Sequence, residues 1–279
     1  MGIVTEKWNI AFRQAAGYRN TDAPYTALPG DRDGWYADPF LFEYMGKLYL
    51  FAEFFSYKTG RGSIVVFEYD CENHGFVKRR EVLSQRFHLS YPQVFQRGKS
   101  IFMLPETADA DALILYRAIR FPDEWREEKV LCAGVKLVDA TLLPRGGAVA
   151  QSLNADGSPN DFVILENREL EIIRKNASVR ERMKSRPGGA FFEEGGRVIG
   201  TAQDCSLTYG GALEFYDFET GETVFRLSPL NVRIDSEKAG ILGVHTFNSV
   251  GGVEVIDYKT DTISLSRIVR RASSIWKGN

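Results

Sequence analysis

The hydrophobic positions of the chain form short apolar runs that recur in a fixed order. In residues 38–53, two apolar runs flank a turn marked by Gly46, and the second run ends at Glu53. Apolar runs of four to eight residues between turn residues are typical of β-strands. Two further runs, at residues 63–69 and 76–83, complete a predicted unit of four antiparallel strands joined by short turns.

The same four-strand plan repeats along the chain. In the first two units the second strand ends in an acid, Glu53 or Glu106, that lies 14 residues after a proline in the first strand. In the fourth unit Gln203 lies 14 residues after Gly189, which takes the place of the proline. The units begin near residues 38, 91, 139, 188 and 243. A four-stranded unit that repeats at this interval is the signature of a β-propeller blade. The sequence therefore predicts an all-β fold, a five-bladed β-propeller of four-stranded antiparallel blades, with residues 1–279 as a single domain.

Two parts of the chain fit this plan less directly. The fifth unit offers a third strand at residues 262–269 but no clear fourth strand, whereas residues 7–14 form a spare alternating strand. We expect residues 7–14 to close the ring against blade five. The charged run at residues 166–184 is compatible with a short helix or with the outer strand of blade three.

Composition narrows the possible partners. The chain has 35 basic and 37 acidic residues, and this balance gives no sign of a nucleic-acid partner. No apolar segment approaches the roughly 20 residues of a membrane span. The N-terminus lacks a signal-peptide pattern, and the three scattered cysteines are typical of free thiols, so a cytoplasmic location is expected. Phosphate-binding loops, Cys/His clusters and the serine-hydrolase elbow are missing, so we expect no cofactor and no metal.

Propeller geometry brings two sets of side chains to one end of the central channel. The first set precedes the innermost strand of each blade, and the second ends the strand that returns. The first set is Asp38, Tyr91, Asp139, Gly188 and, close to the fifth equivalent place, His245; the second is Glu53, Glu106 and Gln203. Four carboxylates so close together need relief by a ligand, a metal or shifted pKa values. One protonated acid beside one carboxylate is the arrangement that acid/base chemistry on a sugar requires.

Other residues near the predicted channel mouth are candidates for substrate binding. Arg186 precedes blade four and could neutralise carboxylates or bind an anionic group. His88 and His245 lie beside the mouth, and Trp35, Tyr36 and Tyr91 could offer aromatic faces to a sugar. Each of these residues, taken singly, has a structural alternative, and an Asp before a strand often only caps a turn.

The motif Trp35-Tyr36-Ala37-Asp38-Pro39 resembles the first blade of the five-bladed propeller glycosidases, which include arabinanases, xylosidases and invertases. The motifs Asp38–Phe42, His88–Pro92, Pro105–Thr107 and Val138–Thr141 resemble more closely the propeller domain beside the glycosyltransferase domain of plant glucosamine inositolphosphorylceramide transferases and its bacterial relatives. The glycosidase resemblance implies that Asp38 is a base or nucleophile. It also implies a second Asp and a Glu at later strand starts, where this chain has Tyr91, Asp139 and Gly188.

Three functions remain open at this point. The first is an enzyme that acts on a glycosidic bond, with Asp38 as base or nucleophile, Glu106 as acid and Asp139 as orienting carboxylate. The second is a non-catalytic sugar-binding propeller, and the third is a glycosyltransferase. In each case the expected partner is a carbohydrate or glycoconjugate.

Overall fold

The computed structural model describes residues 4–144, 146–166, 171–173, 185–235, 237 and 240–263. The chain begins with β1 (Val4–Gln14) and β2 (Tyr25–Ala27). Blade one follows as β3 (Gly34–Tyr44), β4 (Lys47–Ser56), β5 (Arg61–Asp70) and β6 (Gly75–Leu83). Blade two contains β7 (Ser90–Arg97), β8 (Ser100–Glu106), a 3-10 helix (Ala108–Ala110), β9 (Ala112–Arg120) and β10 (Glu124–Ala133).

The remaining blades repeat the plan. Blade three contains β11 (Leu137–Leu142), β12 (Ala148–Leu153), β13 (Pro159–Glu166) and β14 (Glu171–Ile173). Blade four contains β15 (Phe192–Glu194), β16 (Arg197–Asp204), β17 (Ala212–Asp217) and β18 (Thr223–Leu227). Blade five contains β19 (Ile234–Asp235), β20 (Ile241–Gly243), β21 (Phe247–Val250) and β22 (Val253–Ile263), together with β1 and β2. The all-β, five-bladed propeller expected from the sequence is confirmed.

Blade five joins the two ends of the described chain. β1 pairs antiparallel with β22 along its whole length, from Val4 opposite Ile263 to Gln14 opposite Val253. β1 therefore occupies the place of the third strand, which the sequence predicted at residues 262–269; positions beyond Ile263 lie outside the described residues. This pairing fastens the last blade to the first strand of the chain.

The hydrophobic core is divided among the contacts between neighbouring blades. Five buried clusters lie between blades five and one, one and two, two and three, three and four, and four and five. In the first cluster, for example, Ile10 and Phe12 of β1 pack with Leu50 and Val65 of blade one. Because each blade buries apolar side chains on both faces, the ring holds its five inner strands at fixed positions around the channel.

Two sequence expectations concern segments away from the channel. Of the charged run at residues 166–184, Glu171–Ile173 is an outer strand that pairs with β13, and most of the rest lies outside the described residues. No helix within the described ranges is both long and apolar enough to cross a membrane.

Candidate active site

The first strands of blades one, two and three share one backbone distortion. Asp38, Tyr91 and Asp139 have φ angles of 49°, 49° and 51°, in the left-handed region that residues other than glycine rarely adopt. At each of these residues the pairing with the second strand shifts by one residue, as in a β-bulge. Strained conformations of this kind persist only where surrounding contacts fix them, and they concentrate at functional sites.

Hydrogen bonds between blades fix these three residues. The backbone N–H of Tyr91 donates to Asp38 Oδ2 at 3.2 Å, and that of Asp139 donates to Glu106 Oε2 at 3.3 Å. The N–H of Asp38 donates to Asp257 Oδ2 of blade five at 2.9 Å. The carboxylates expected to converge at one end of the channel therefore do so.

A second ring of side chains comes from the strands that return to this end. Glu53 lies opposite Ala37 in the β3–β4 pairing, and Glu106 lies opposite Ser90 in the β7–β8 pairing. The equivalent positions in blades three and four are held by Gln151 and Gln203. In blade five Asp257 makes the matching contact, since it accepts the N–H of Asp38 as Glu106 accepts that of Asp139. The sequence pattern missed Gln151 because the β11–β12 hairpin is shorter, and it missed Asp257 because its spacing from the start of blade five differs.

Arg186 connects two of the acidic residues. Its guanidinium forms an ion pair with Asp139 and donates a hydrogen bond to Glu106 Oε2 at 3.1 Å. Gln203 Nε2 donates to Asp139 Oδ2 at 2.9 Å and to the carbonyl oxygen of Pro187 at 2.8 Å. Arg186 and Gln203 therefore bind the side chain of Asp139, and Glu106 binds its backbone N–H. Asp139 is 1% exposed.

Burial raises the pKa values of three carboxyl groups in this cluster. It raises the pKa of Glu106 to about 8, against the opposing charge of Arg186 and with further help from Asp139. Burial also raises the pKa of Asp38 to about 6, where the charge of His245 limits the rise. The pKa of Glu53 lies well above its ordinary value because the group is buried and faces other carboxylates, Asp38 first among them. At neutral pH the site therefore contains protonated and ionised carboxyl groups side by side.

His245 links Asp38 to blade five. Its Nδ1 lies 2.6 Å from Asp257 Oδ2, and its Nε2 lies 3.8 Å from Asp38 Oδ1. Burial disfavours the charged imidazole, but the carboxylates of Asp257, Asp38 and Asp139 together outweigh this effect and raise the pKa of His245. The ring stacks on Trp8 at 3.9 Å between centroids, a contact that the sequence pattern of β1 did not reveal.

The same group of side chains has the donor atoms of a metal site. Asp38, His245 and Asp257 offer ligand atoms that lie within 4.8 Å of one another. The hydroxyl of Thr246 donates to Asp38 Oδ1 at 3.0 Å, and the backbone N–H groups of His245 and Thr246 donate to Asp257 Oδ1. Because His245 already pairs with Asp257, and protein N–H and O–H groups already donate to Asp257 and Asp38, we interpret the group as an ion-pair network.

Aromatic residues of blade one form one side of the channel mouth. Trp35 stacks on Phe55 at 4.7 Å between ring centroids, and Phe55 lies 6.2 Å from the ring of His88. His88 Nδ1 accepts the N–H of Gly62 at 2.9 Å, which leaves the ring proton on Nε2. That Nε2 lies 3.3 Å from Glu53 Oε1, but the geometry is not that of a hydrogen bond, and Glu53 Oε1 is buried without a partner among the described residues.

Two of the aromatic candidates do not face an open surface. Tyr36 lies on the opposite face of blade one from Glu53, packs against Phe54 and is 4% exposed. Tyr91 lies at the channel but is fully buried; its hydroxyl accepts the N–H of Gly189 at 2.7 Å and contacts Thr141 Oγ1 at 2.9 Å. These two residues therefore support the structure, in contrast to the expectation that they would contact substrate.

Solved structures with the same fold include glycosidases. A β-xylosidase matches with a TM-score of 0.54 at 12% identity, over 82% of this chain and 92% of that chain. The α-L-arabinofuranosidase of Podospora anserina, solved with cellotriose, matches with a TM-score of 0.52 at 12% identity, over 85% and 95% of the two chains. At this level of identity the likeness concerns the fold alone.

Sequence comparison gives a closer relationship. The family model described as "Glucosamine inositolphosphorylceramide transferase 1, N-terminal" matches residues 25–243. Glucosamine inositolphosphorylceramide transferase 1 of Oryza sativa subsp. indica is 32% identical over 222 residues, which cover 73% of this chain and 29% of the rice protein. The chain thus spans less than a third of the length of this relative. It belongs to the family of N-terminal regions of glucosamine inositolphosphorylceramide transferase 1.

Proposed function

We propose that this propeller is a carbohydrate-active protein that binds a saccharide at the acidic end of its channel and acts on a glycosidic bond by acid/base catalysis. The observation that carries the proposal is the position of Glu106, which contacts Arg186 and accepts the N–H of Asp139 within the acidic cluster. This carboxyl group has a pKa of about 8, and its side chain is 13% exposed, against 5% for Glu53 and 1% for Asp139. Glu106 is therefore both protonated at neutral pH and accessible to a ligand.

The other half of the chemistry is assigned to Asp38. With a pKa of about 6, this group is mostly ionised at pH 7, so it can accept a proton from water or from an acceptor hydroxyl. Its oxygens receive single hydrogen bonds from Tyr91 and Thr246, which leaves lone pairs available. In the proposed step Glu106 gives its proton to the glycosidic oxygen, and the bond from that oxygen to the sugar carbon breaks with its electron pair on the oxygen. The oxygen of the attacking hydroxyl group forms a new bond to the same carbon with its own electron pair, and Asp38 takes the proton of that hydroxyl group.

Arg186 has a supporting role in this scheme. When Glu106 loses its proton, the new carboxylate is already within 3.1 Å of the Arg186 guanidinium and receives the N–H of Asp139. These contacts stabilise the charge that develops on the acid in the transition state. Because both partners of Arg186 are side chains of the protein, Arg186 is better suited to hold this site together than to bind a phosphate group.

A non-catalytic sugar-binding propeller is the second candidate. Two observations favour it: the chain matches only 29% of the length of a relative named as a transferase, and the strand starts of blades two and four carry Tyr91 and Gly188 in place of carboxylates. In that case the channel would hold a sugar of a larger substrate while another part of a longer protein performs the transfer.

One set of assays separates these functions. Wild type, Glu106→Gln and Asp38→Asn are tested for turnover of aryl furanosides, aryl pyranosides and nucleotide sugars, and for binding of the unreacted sugars by calorimetry. Acid/base catalysis predicts turnover that both substitutions reduce by about 10²-fold or more, with sugar binding largely kept. Sugar binding without turnover on any substrate would reject catalysis and leave the binding module. Full turnover by Glu106→Gln would reject the assignment of the acid.

A further inference from the structure

The loop that follows β16 in blade four exposes two large apolar side chains. In residues 205–211, Leu207 is 97% exposed and Tyr209 is 47% exposed. The loop leaves the end of β16 just after Gln203, whose side chain binds Asp139. The loop therefore begins next to the acidic cluster.

The backbone of this loop is firmly held. Lys259, which is 1% exposed, donates from Nζ to the carbonyl oxygen of Tyr209 at 2.9 Å and to Thr208 Oγ1 at 3.2 Å. A Cβ atom added at Gly210 would lie 2.6 Å from the Trp8 ring, so the loop also packs closely on blade five. The backbone that carries Tyr209 is thus fixed at the Tyr209 carbonyl and at Gly210.

The Tyr209 ring extends the acidic cluster outward. Its centroid lies 5.6 Å from Cζ of Arg186 and 5.4 Å from the ring of His245, which it meets edge to face. Arg186 in turn contacts Glu106. A flat apolar ligand surface placed on the exposed part of Tyr209 would therefore lie beside the proposed acid.

A cavity adjoins the same loop. It has a volume of about 490 Å3 and is lined mainly by polar residues, namely Ser185, Ala202, Gln203, Asp204, Cys205, Ser206 and Glu214. The cavity and the exposed Tyr209 ring share the loop at residues 205–211, an arrangement suited to a ligand with both polar and apolar faces.

We propose that blade four carries an extended binding site for a neutral oligosaccharide, in which Tyr209 stacks on one sugar ring and the cavity beside Ser206 takes a neighbouring ring. The proposal deepens the proposed function and rests on it for the class of ligand. It assigns specificity to the loop at residues 205–211, whereas the acid/base chemistry belongs to Glu106 and Asp38.

The test is an array of immobilised neutral oligosaccharides probed with the whole chain. The variants are Tyr209→Ala, Tyr209→Phe, Ser206→Trp and, as a matched control, Ser158→Trp. Ser206 and Ser158 are both exposed, and the N–H of each donates to the Asp two residues earlier, at 3.0 and 2.9 Å. Loss of the ring or filling of the cavity should weaken binding roughly tenfold or more, because truncation of a central aromatic contact has effects of this size. Tyr209→Phe and Ser158→Trp should stay close to wild type.

Protection of a thiol gives a second measurement on the unmodified chain. Cys205 lines the cavity, and Cys71, between β5 and β6, is a second exposed cysteine. A bound oligosaccharide should slow alkylation of Cys205 by iodoacetamide and leave the rate at Cys71 unchanged.

Three results would overturn the proposal: a wild type that binds nothing on the array, a Tyr209→Ala variant that binds as wild type does, or equal losses in Ser206→Trp and Ser158→Trp. The outcome is separate from that of the proposed function. Binding that depends on Tyr209 in a protein without turnover would reject the acid/base chemistry alone, whereas turnover with a KM that Tyr209→Ala leaves unchanged would reject this site alone.

Discussion

Replacing Glu106 by Gln should stabilise the protein at alkaline pH. The pKa of Glu106 in the folded protein is about 8, against an ordinary value of 4.5. Below pH 4.5 the group is protonated in both the folded and the unfolded states, so the substitution should have little effect. Between pH 4.5 and 8 the unfolded chain loses this proton and the folded protein keeps it, so the wild type loses stability as the pH rises. The difference between the two pKa values corresponds to an upper limit of about 5 kcal/mol above pH 8.

Urea unfolding of wild type and Glu106→Gln at pH 5, 7 and 9 measures this effect. Gln keeps an oxygen that can accept from Arg186 and from the N–H of Asp139, so the contacts around the site survive. Glu68→Gln is the control, and its effect on stability should have the opposite sign. Hydrogen bonds from Arg80 and Lys78 outweigh burial and lower the pKa of Glu68, so removal of this carboxylate should destabilise the protein at pH 7 and 9. A difference between Glu106→Gln and wild type that is constant from pH 5 to 9 would refute the raised pKa.

Three further predictions concern activity and stability. On any substrate that is turned over, kcat/KM should rise with pH near 6 as Asp38 ionises and fall near 8 as Glu106 ionises, and Glu106→Gln should lack the fall; a flat profile would contradict both assignments. Arg186→Met should lower the free energy of unfolding by about 3 kcal/mol, since it leaves a buried carboxylate unpaired, and a loss below about 1 kcal/mol would show that the ion pair is not needed. Gly62→Ala should cost about 1–3 kcal/mol, because the new Cβ would lie 2.3 Å from a backbone oxygen, while Gly75→Ala, with no neighbour closer than 3.9 Å, should be near neutral in the same unfolding assay.

The repeat in the sequence predicted the blades because each one is a local structure. Strand length, turn residues and alternation are set by neighbours along the chain, and the 14-residue spacing that identified Glu53 and Glu106 reflects two hairpins of equal length. Where a hairpin differs in length, the 14-residue spacing no longer locates the equivalent residue, and Gln151 was missed for that reason. The pairing of β1 with β22 joins segments more than 200 residues apart, and no local pattern gives its register.

The contacts within the site were harder to foresee. Tyr36 and Glu53 both belong to the opening hairpin, but side chains alternate across a strand, so the two face opposite sides of the blade. Trp8 looked like one apolar residue of an alternating strand, and only ring closure brings it onto His245. The left-handed backbone of Tyr91 turns its hydroxyl to Gly189, a partner almost 100 residues later.

The role of Glu106 as general acid is tested most directly by how the rate loss in Glu106→Gln depends on the leaving group of the substrate. Wild type and Glu106→Gln are compared on glycosides of one sugar with a dinitrophenyl leaving group, which needs no proton, and with an alkyl leaving group, which does. Our account predicts that Glu106→Gln loses about 10²–10⁴-fold in rate on the alkyl glycoside and less than about tenfold on the dinitrophenyl glycoside. Equal losses on both glycosides, or no loss on either, would contradict it.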